Sequence, residues 1–240
     1  MLLKNLSIII KTDTLAIAAI IILIFGSIIF VSYYFSRKQK ILRALKSFKA
    51  KRITQFRTNE LTKTTGKVLH VHEPLKAPFT RRDCVAYHIK IEQHRSTGKS
   101  SHWKTLVSDY AIQDFFIEQQ GEVVMVKPKE NPKNYMSFMV SDHSANSGTF
   151  NDPTPEFKNL LKRYNVNSET ILGFNKRLRY TERILEIGEV ITVGGIAKWK
   201  EMNAPMSQYG STRIATLESS NEQKLVITDE PSAKVDYKRI

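Results

Sequence analysis

Hydrophobic positions along this chain follow two regimes. Residues Leu15 to Phe35 run LAIAAIIILIFGSIIFVSYYF, 21 positions without a charge and without polar alternation. At about 1.5 Å per residue a helix of that length is roughly 30 Å long, the thickness of a bilayer's hydrocarbon core. The pattern predicts a transmembrane helix over 14–36, after a short N-terminal segment 1–13. A cleaved secretory signal has a shorter apolar stretch, about 7 to 15 residues, with small residues at its cleavage site. Here the stretch ends in Tyr33, Tyr34 and Phe35, aromatics that suit the headgroup belt.

The next segment, 37–59, reads RKQKILRALKSFKAKRITQFRTN and carries no acidic residue. Its cations are Arg37, Lys38, Lys40, Arg43, Lys46, Lys49, Lys51, Arg52 and Arg57. Read as a helix, it places Ile41, Leu45 and Phe48 on one stripe with cations around the rest. That is the pattern of a helix lying on a membrane surface, where anionic headgroups attract each nearby cation by about 1 kcal/mol. Arg37, Lys38, Lys40, Arg43, Lys46, Lys49, Lys51 and Arg52 are the candidate headgroup contacts. The plainer reading is a topology signal followed by a solvated stalk. Only Lys4 and Lys11, against Asp13, precede the apolar helix, so the positive-inside bias predicts an outside N-terminus and a cytoplasmic remainder.

From about Lys63 the period shortens to that of strands. TTGKVLHVH, CVAYHIKIEQH, WKTLVSDY, QDFFIE, GEVVMVKP and NYMSFMV are short, rich in β-branched and aromatic residues, and separated by turn formers. In Cys84 to His94, Val85, Tyr87, Ile89 and Ile91 alternate with Cys84, Ala86, His88, Lys90 and Glu92, which predicts one core face and one wet face. Residues 141–155 read as a long polar loop. Thr154 and Pro155 open a helix carrying Phe157, Leu160, Leu161 and Tyr164, and a second helical turn is expected near Ser168 to Leu172. Strands return in KRLRYTERILEI, EVITVGGIAKW, STRIATLE and QKLVITDE, with Gly194 and Gly195 marking a bulge or bend. The expected fold is mainly β: a barrel-like or two-sheet antiparallel domain over 60–228 with eight to ten strands and a short helix. A polar tail, 229–240, follows.

Charge and chemistry narrow the function. The net charge is +14, of which the segment after the apolar helix supplies nine, leaving 28 basic against 23 acidic residues elsewhere. With no recognition-helix, zinc-finger or aromatic RNA-binding signature, nucleic acid is not an expected partner. One cysteine, Cys84, excludes an intramolecular disulfide framework and any cysteine-rich zinc module. His70 and His72 would lie about 6.6 Å apart on a strand face and could share a metal only with a third ligand that the sequence does not identify. Cys84 follows Arg81 and Arg82, cations that lower a thiol pKa when they face it, yet a small residue opening a strand is the plainer reading. No nucleophile elbow, phosphate loop, HExxH or dinucleotide fingerprint is present. No catalytic residue, metal or cofactor is expected.

Three blocks in order carry a family resemblance: PFTRRDCVAYHIKIEQH, Trp103 leading to DFFIEQQGEVVMVKP, and YTERILEIGEVITVGGIAKW. Together they resemble the GIDE, or beside-a-membrane, domain of MULAN-type membrane ubiquitin ligases and of many prokaryotic membrane proteins. The positions that carry it are Cys84, Tyr87, Trp103, Phe115, Phe116, Gly121, Val124, Val126, Glu182, Leu185, Gly188, Val193 and Gly194. The Asp usual before the second block's turn is Glu118 here. A RING needs eight Cys or His ligands in pairs, which one cysteine cannot supply, so the ligase chemistry of those relatives is not expected. The resemblance implies a single-pass, non-enzymatic binding or scaffold module at a bacterial inner membrane, in sensing or defence-related signalling. Its expected partners are anionic lipid and an unidentified protein or ligand. The alternative is a component that recruits a ubiquitin-ligase-type or other conjugation partner; a hydrolase using Cys84 or His70 and His72 ranks below both.

Overall fold

The computed structural model describes residues 2–128, 133–148, 151–170, 173–201 and 213–237, with 2–16 and Ala18 by backbone only. In chain order the elements are α1 (Leu2–Tyr34), α2 (Arg37–Lys46), β1 (Lys49–Ala50), β2 (Glu60–His70), β3 (Leu75–Lys76), β4 (Asp83–Ser96), β5 (Ser101–Ile112), β6 (Phe115–Gln119), β7 (Glu122–Val126), β8 (Tyr135–Phe138), β9 (His143–Ser147), α3 (Pro155–Arg163), β10 (Leu178–Glu186), β11 (Val190–Glu201), β12 (Arg213–Glu218) and β13 (Leu225–Thr228). The chain divides into two compact units, Met1–Arg43 and Ala44–Ile240.

The larger unit is mainly β, as its strand-like spacing predicts. β2, β6, β7, β12 and β11 pair in that order, and β11 returns to β2 in register from Val190↔Lys67 to Ala197↔Glu60, closing a five-strand barrel. Along its other edge β11 changes neighbour: Thr192–Gly194 pair with β13 and Ile196–Glu201 with β12. The changeover falls at Gly194 and Gly195, where the sequence predicts a bend. β7–β12, β8–β13 and β1–β2 are parallel pairs, so the sheet is mixed and not purely antiparallel as expected. Val68, Phe115, Ile117, Val124, Val126, Val193 and Leu217 belong to the core cluster of this barrel and are 0% exposed.

A second sheet curls into an open antiparallel half-barrel, with β4 and β10 central, β9 outside β10, and β3 and β5 along the outer edge of β4. α3 covers one face of it, burying Phe157, Leu160 and Leu161 against Ile89, Ile91, Leu178 and Tyr180. The helix starts as its sequence predicts, with Thr154 Oγ1 accepting the Phe157 N–H at 3.3 Å and Pro155 in the first turn. It stops at Asn165, which adopts φ 54°, while Val166 N–H returns to the Leu161 carbonyl at 2.8 Å.

Four expectations are revised. The loop over 141–155 contains β9, because its Ser and Asn residues find ladder partners on β10. The helical turn near Ser168 is absent over the described part: Glu169 forms an isolated bridge with Asn175, and 171–172 lie outside the described residues. β4 is not wet on one face throughout: Cys84, Val85 and Ala86 are all 0% exposed because Val85 and Ala86 pack in the barrel's core cluster and Cys84 packs with Ala77 and Ile184. The polar tail is docked as far as Tyr237, whose hydroxyl accepts the Thr65 N–H at 2.7 Å and lies 2.9 Å from Thr64 Oγ1. Val235 N–H donates to Thr65 Oγ1 at 3.0 Å, and Thr192 Oγ1 to the Ala233 carbonyl at 3.2 Å.

The barrel's closure leaves no room for a side chain at Gly66, where a Cβ would stand 2.2 Å from the Glu118 carbonyl oxygen. Gly66→Ala is expected to cost on the order of 1–3 kcal/mol or more in a denaturant titration. Gly148→Ala, whose nearest neighbour would be an Arg177 methylene at 4.0 Å, should stay within about 0.5 kcal/mol of the parent.

Candidate membrane-anchoring site

Among the described residues of the N-terminal unit, the apolar side chains from Ile17 to Phe35 are exposed. Ile22, Leu23, Ile29 and Phe30 are 66–69% exposed, and the row continues to Tyr33 and Phe35. Among the described residues no single helix is long and apolar enough to cross a membrane. One bent pair, Ala19–Tyr34 with Arg37–Lys46, meets the requirement of length and composition, with 58° between its halves. The bend is built from side chains. Ser36 Oγ accepts the Gln39 N–H at 3.4 Å at the start of α2, and Gln39 Nε2 donates to the Tyr33 hydroxyl at 2.6 Å. Arg43 donates to the Tyr34 carbonyl at 2.7 Å and its guanidinium lies 4.0 Å over the Tyr34 ring. A cation thus satisfies a carbonyl at the C-terminal end of α1 and stacks on its aromatic end.

In the larger unit the apolar stripe of the basic segment meets protein. Leu45 and Phe48 are each 3% exposed. They pack on β11 at Gly194, where a Cβ would lie 3.0 Å from Leu45 and 3.1 Å from Phe48. Lys63 Nζ donates to the Leu45 carbonyl at 2.9 Å, in the last turn of α2, and burial pulls that ammonium's pKa below its usual value. The segment after it is stitched down, not a solvated stalk. β1 runs parallel to β2, and Ile53 and Phe56 enter the barrel core. Ile53 N–H reaches Gln119 Oε1 at 3.2 Å, and Trp199 Nε1 donates to the Phe56 carbonyl at 3.1 Å.

The predicted headgroup cations divide accordingly. Arg37, Lys40, Lys46, Lys49 and Arg52 are exposed, with Lys38 half-buried. Arg43 is engaged by Tyr34, and Lys51 by Glu60 at 2.5 Å, with Lys49 3.3 Å from the same carboxylate. Those two ammoniums hold the Glu60 pKa below the ordinary value.

The residues that carry the family resemblance are not gathered at one place. Gly121 and Gly188 occupy tight turns at φ 86°. Phe116, 3% exposed, and Leu185, 0% exposed, are buried. Trp103 stands opposite His94 toward the tip of the β4–β5 hairpin. Glu182 is a 0% exposed carboxylate that accepts from Phe79 N–H at 2.9 Å, Thr80 N–H at 3.2 Å, Thr80 Oγ1 at 2.6 Å and Tyr180 Oη at 2.7 Å. It fastens the 78–82 connection to β10, with Phe79 stacked on His143 at 4.6 Å. Tyr87 donates to Asp109 at 3.4 Å beside Tyr164, which does so at 2.9 Å. Cys84 is 0% exposed, its Sγ 3.5 Å from the Leu75 carbonyl; burial, then the Glu182 charge, push the thiol up to about 12. Such a thiol is not a poised nucleophile. His72 lies past the end of β2 with its carbonyl 3.1 Å from His70 Nδ1, and among the described residues no three His, Cys, Asp or Glu side chains are grouped to hold a metal.

Sequence reasoning missed a carboxylate junction between the barrel and the half-barrel. Asp229 accepts the Val140 N–H with both oxygens at 2.9 Å, and Asp142 accepts the Ile184 N–H at 2.8 Å. Arg82 bridges Asp142 at 3.3 Å and Glu186 at 2.8 Å, and Glu189 accepts the Glu186 N–H at 3.1 Å. Burial, with the Asp229, Asp142 and Glu186 charges behind it, raises Glu189 to about 7; burial, with Asp142 and Glu230, raises Asp229 to about 6. No spacing rule brings these residues together, since four separate segments supply them.

No family model, curated protein or solved structure matches the chain.

Two predictions follow the geometry. Adding a methyl at Gly194 crowds Leu45 and Phe48, so Gly194→Ala is expected to loosen the basic segment, read as faster limited proteolysis between residues 46 and 57. Raised carboxyl pKa values mean that the folded chain keeps protons that the unfolded chain has lost. The stability from neutral Glu189 and Asp229 is therefore complete below the ordinary carboxylate range and is lost as pH rises through about 6 to 7. Glu189→Gln should flatten the fall in Tm between about pH 5 and pH 8 relative to the parent.

Proposed function

We propose that this chain is a single-pass, membrane-anchored binding or scaffold module. Its N-terminus lies outside, and its β-rich unit, of the GIDE type, works on the cytoplasmic side of a bacterial inner membrane in sensing or defence-related signalling. The observation that carries the reading is the row of outward apolar side chains from Ile17 to Phe35 leading directly into exposed cations at Arg37 and Lys40. Exposed Ile, Leu and Phe in such number are costly in water, at about 25 cal/mol for each Å² of apolar surface, and are satisfied in lipid. Tyr33, Tyr34 and Phe35 supply the interfacial ring of aromatics, and the excess of cations on the C-terminal side sets the orientation. A binding role, in place of catalysis, is supported by the chemistry of the motif residues: Glu182 and Cys84 are committed to internal contacts.

Full-length protein should remain in the membrane pellet after alkaline extraction, and added protease should digest its β-rich unit only when the cytoplasmic side is opened. Ile24→Lys with Ile28→Lys places two charges in the apolar row, each unfavourable by about 3 kcal/mol at mid-bilayer, and should shift the protein to the extracted fraction. Retention of that double variant in the pellet would contradict the anchor.

A further inference from the structure

The half-barrel has one face covered by α3 and one that α3 does not cover. Side chains alternate between faces along a strand, and cross-strand partners share a face. With Ile89, Ile91, Leu178 and Tyr180 under α3, the pairings put Lys90, Glu92 and His94 of β4, Arg179 and Arg183 of β10, and Trp103 of β5 on the other side. Arg177, whose carbonyl accepts the His94 N–H at 2.9 Å, continues the β10 row one step beyond the strand.

This face is built and not a scatter of loose cations. Glu92, with its side chain 10% exposed, takes Arg179 Nε at 2.7 Å and Lys90 Nζ at 3.5 Å. The Arg179 guanidinium lies 4.2 Å over the Trp103 ring, Arg177 is 5.9 Å from the same ring, and His94 meets it edge-on at 5.3 Å. Stacking and the buried carboxylate restrict the Arg179 side chain in advance, so less entropy is lost when it binds an anion. Glu92 is the acidic residue paired within the face; Gln93 to Ser108 and Gly173 to Thr181 contain no Asp or Glu. The carboxylates beside the outer end are Asp152, which accepts from Asn175 Nδ2, and Glu169, whose backbone bridges to Asn175.

We propose that this face is a second bilayer contact, in which Arg177 and Arg179 bind the phosphates of anionic lipid headgroups with Trp103 at headgroup depth. The inference rests on the membrane-anchored reading above. Guanidinium forks match phosphate oxygens, and an indole held among cations suits the water–lipid interface. A chain tethered by its own helix meets headgroups at a high effective concentration, so weak individual contacts are enough to dock the sheet. An acidic protein segment would use the same charges but would not be held beside them by the chain's own anchor.

The test uses the full chain with Trp199→Phe, which leaves Trp103 as its one indole, in nanodiscs containing lipids brominated near the headgroup. Trp103 emission is expected to be quenched in anionic discs and much less in zwitterionic ones, with the difference lost at high salt and in Arg177→Gln with Arg179→Gln. The double variant should remain in the discs, which separates this contact from the anchor. Retention of the parent without quenching, or equal quenching in both lipids, would overturn the proposal while leaving the anchor standing. An emission shift produced by polyglutamate but not by anionic lipid would overturn it in favour of an acidic protein partner. Failure of the parent to stay in discs would overturn the anchored reading and this one with it.

Discussion

Closure of the barrel through β11 is the constraint on which the rest of the larger unit depends. One strand pairs with β2 along eight positions while passing from β13 to β12 on its opposite edge. A strand can change partners only where its backbone bends and neighbours approach closely, and Gly194 and Gly195 provide that point. A Cβ at Gly195 would lie 2.9 Å from Leu225 and 3.0 Å from the Glu218 carbonyl, and one at Gly194 would meet Leu45 and Phe48. The same pair of glycines therefore sets the strand exchange and the seat of the basic segment. Two features that look unrelated in sequence, a glycine doublet and an apolar stripe among cations, are two sides of one contact.

That contact changes the meaning of the stripe. An amphipathic basic helix next to an apolar span reads as a helix lying on lipid, because its hydrophobic residues need cover and the bilayer is the nearest cover in sequence. Here β11 covers Leu45 and Phe48, and the Lys63 ammonium donates to the Leu45 carbonyl in the last turn of the helix. The cations that remain exposed, Arg37, Lys40 and Lys46 among them, can meet headgroups without carrying the apolar side chains with them.

Local signals were legible and long-range ones were not. Alternation and turn formers located β4, β5, β6, β7, β10 and β11, and Thr154 with Pro155 announced α3, because strand alternation and helix capping depend on neighbours in sequence. The positive φ at Gly188 and Gly121 is likewise a local demand. The parallel β7–β12 and β8–β13 pairs were invisible, since their partners lie about 90 positions apart. β9 was hidden because Ser, Asn and Ala have weak strand preference and depend on β10 to hold them. Glu182 stood out in the sequence only through the family resemblance, and only the fold shows that Phe79, Thr80 and Tyr180 converge on it. The tail looked polar for the same reason: Tyr237 finds its partners, Thr64 and Thr65, more than 170 residues away.

If the barrel, and not the bilayer, covers the stripe, the side chain at position 45 must touch β11 in the native membrane. Photo-leucine placed at Leu45 of the full chain, activated in native membranes and followed by peptide mass spectrometry, reads this contact directly. The account predicts a crosslinked peptide from Val193 to Gly195. Adducts to phospholipid acyl chains, with none to β11, would contradict it.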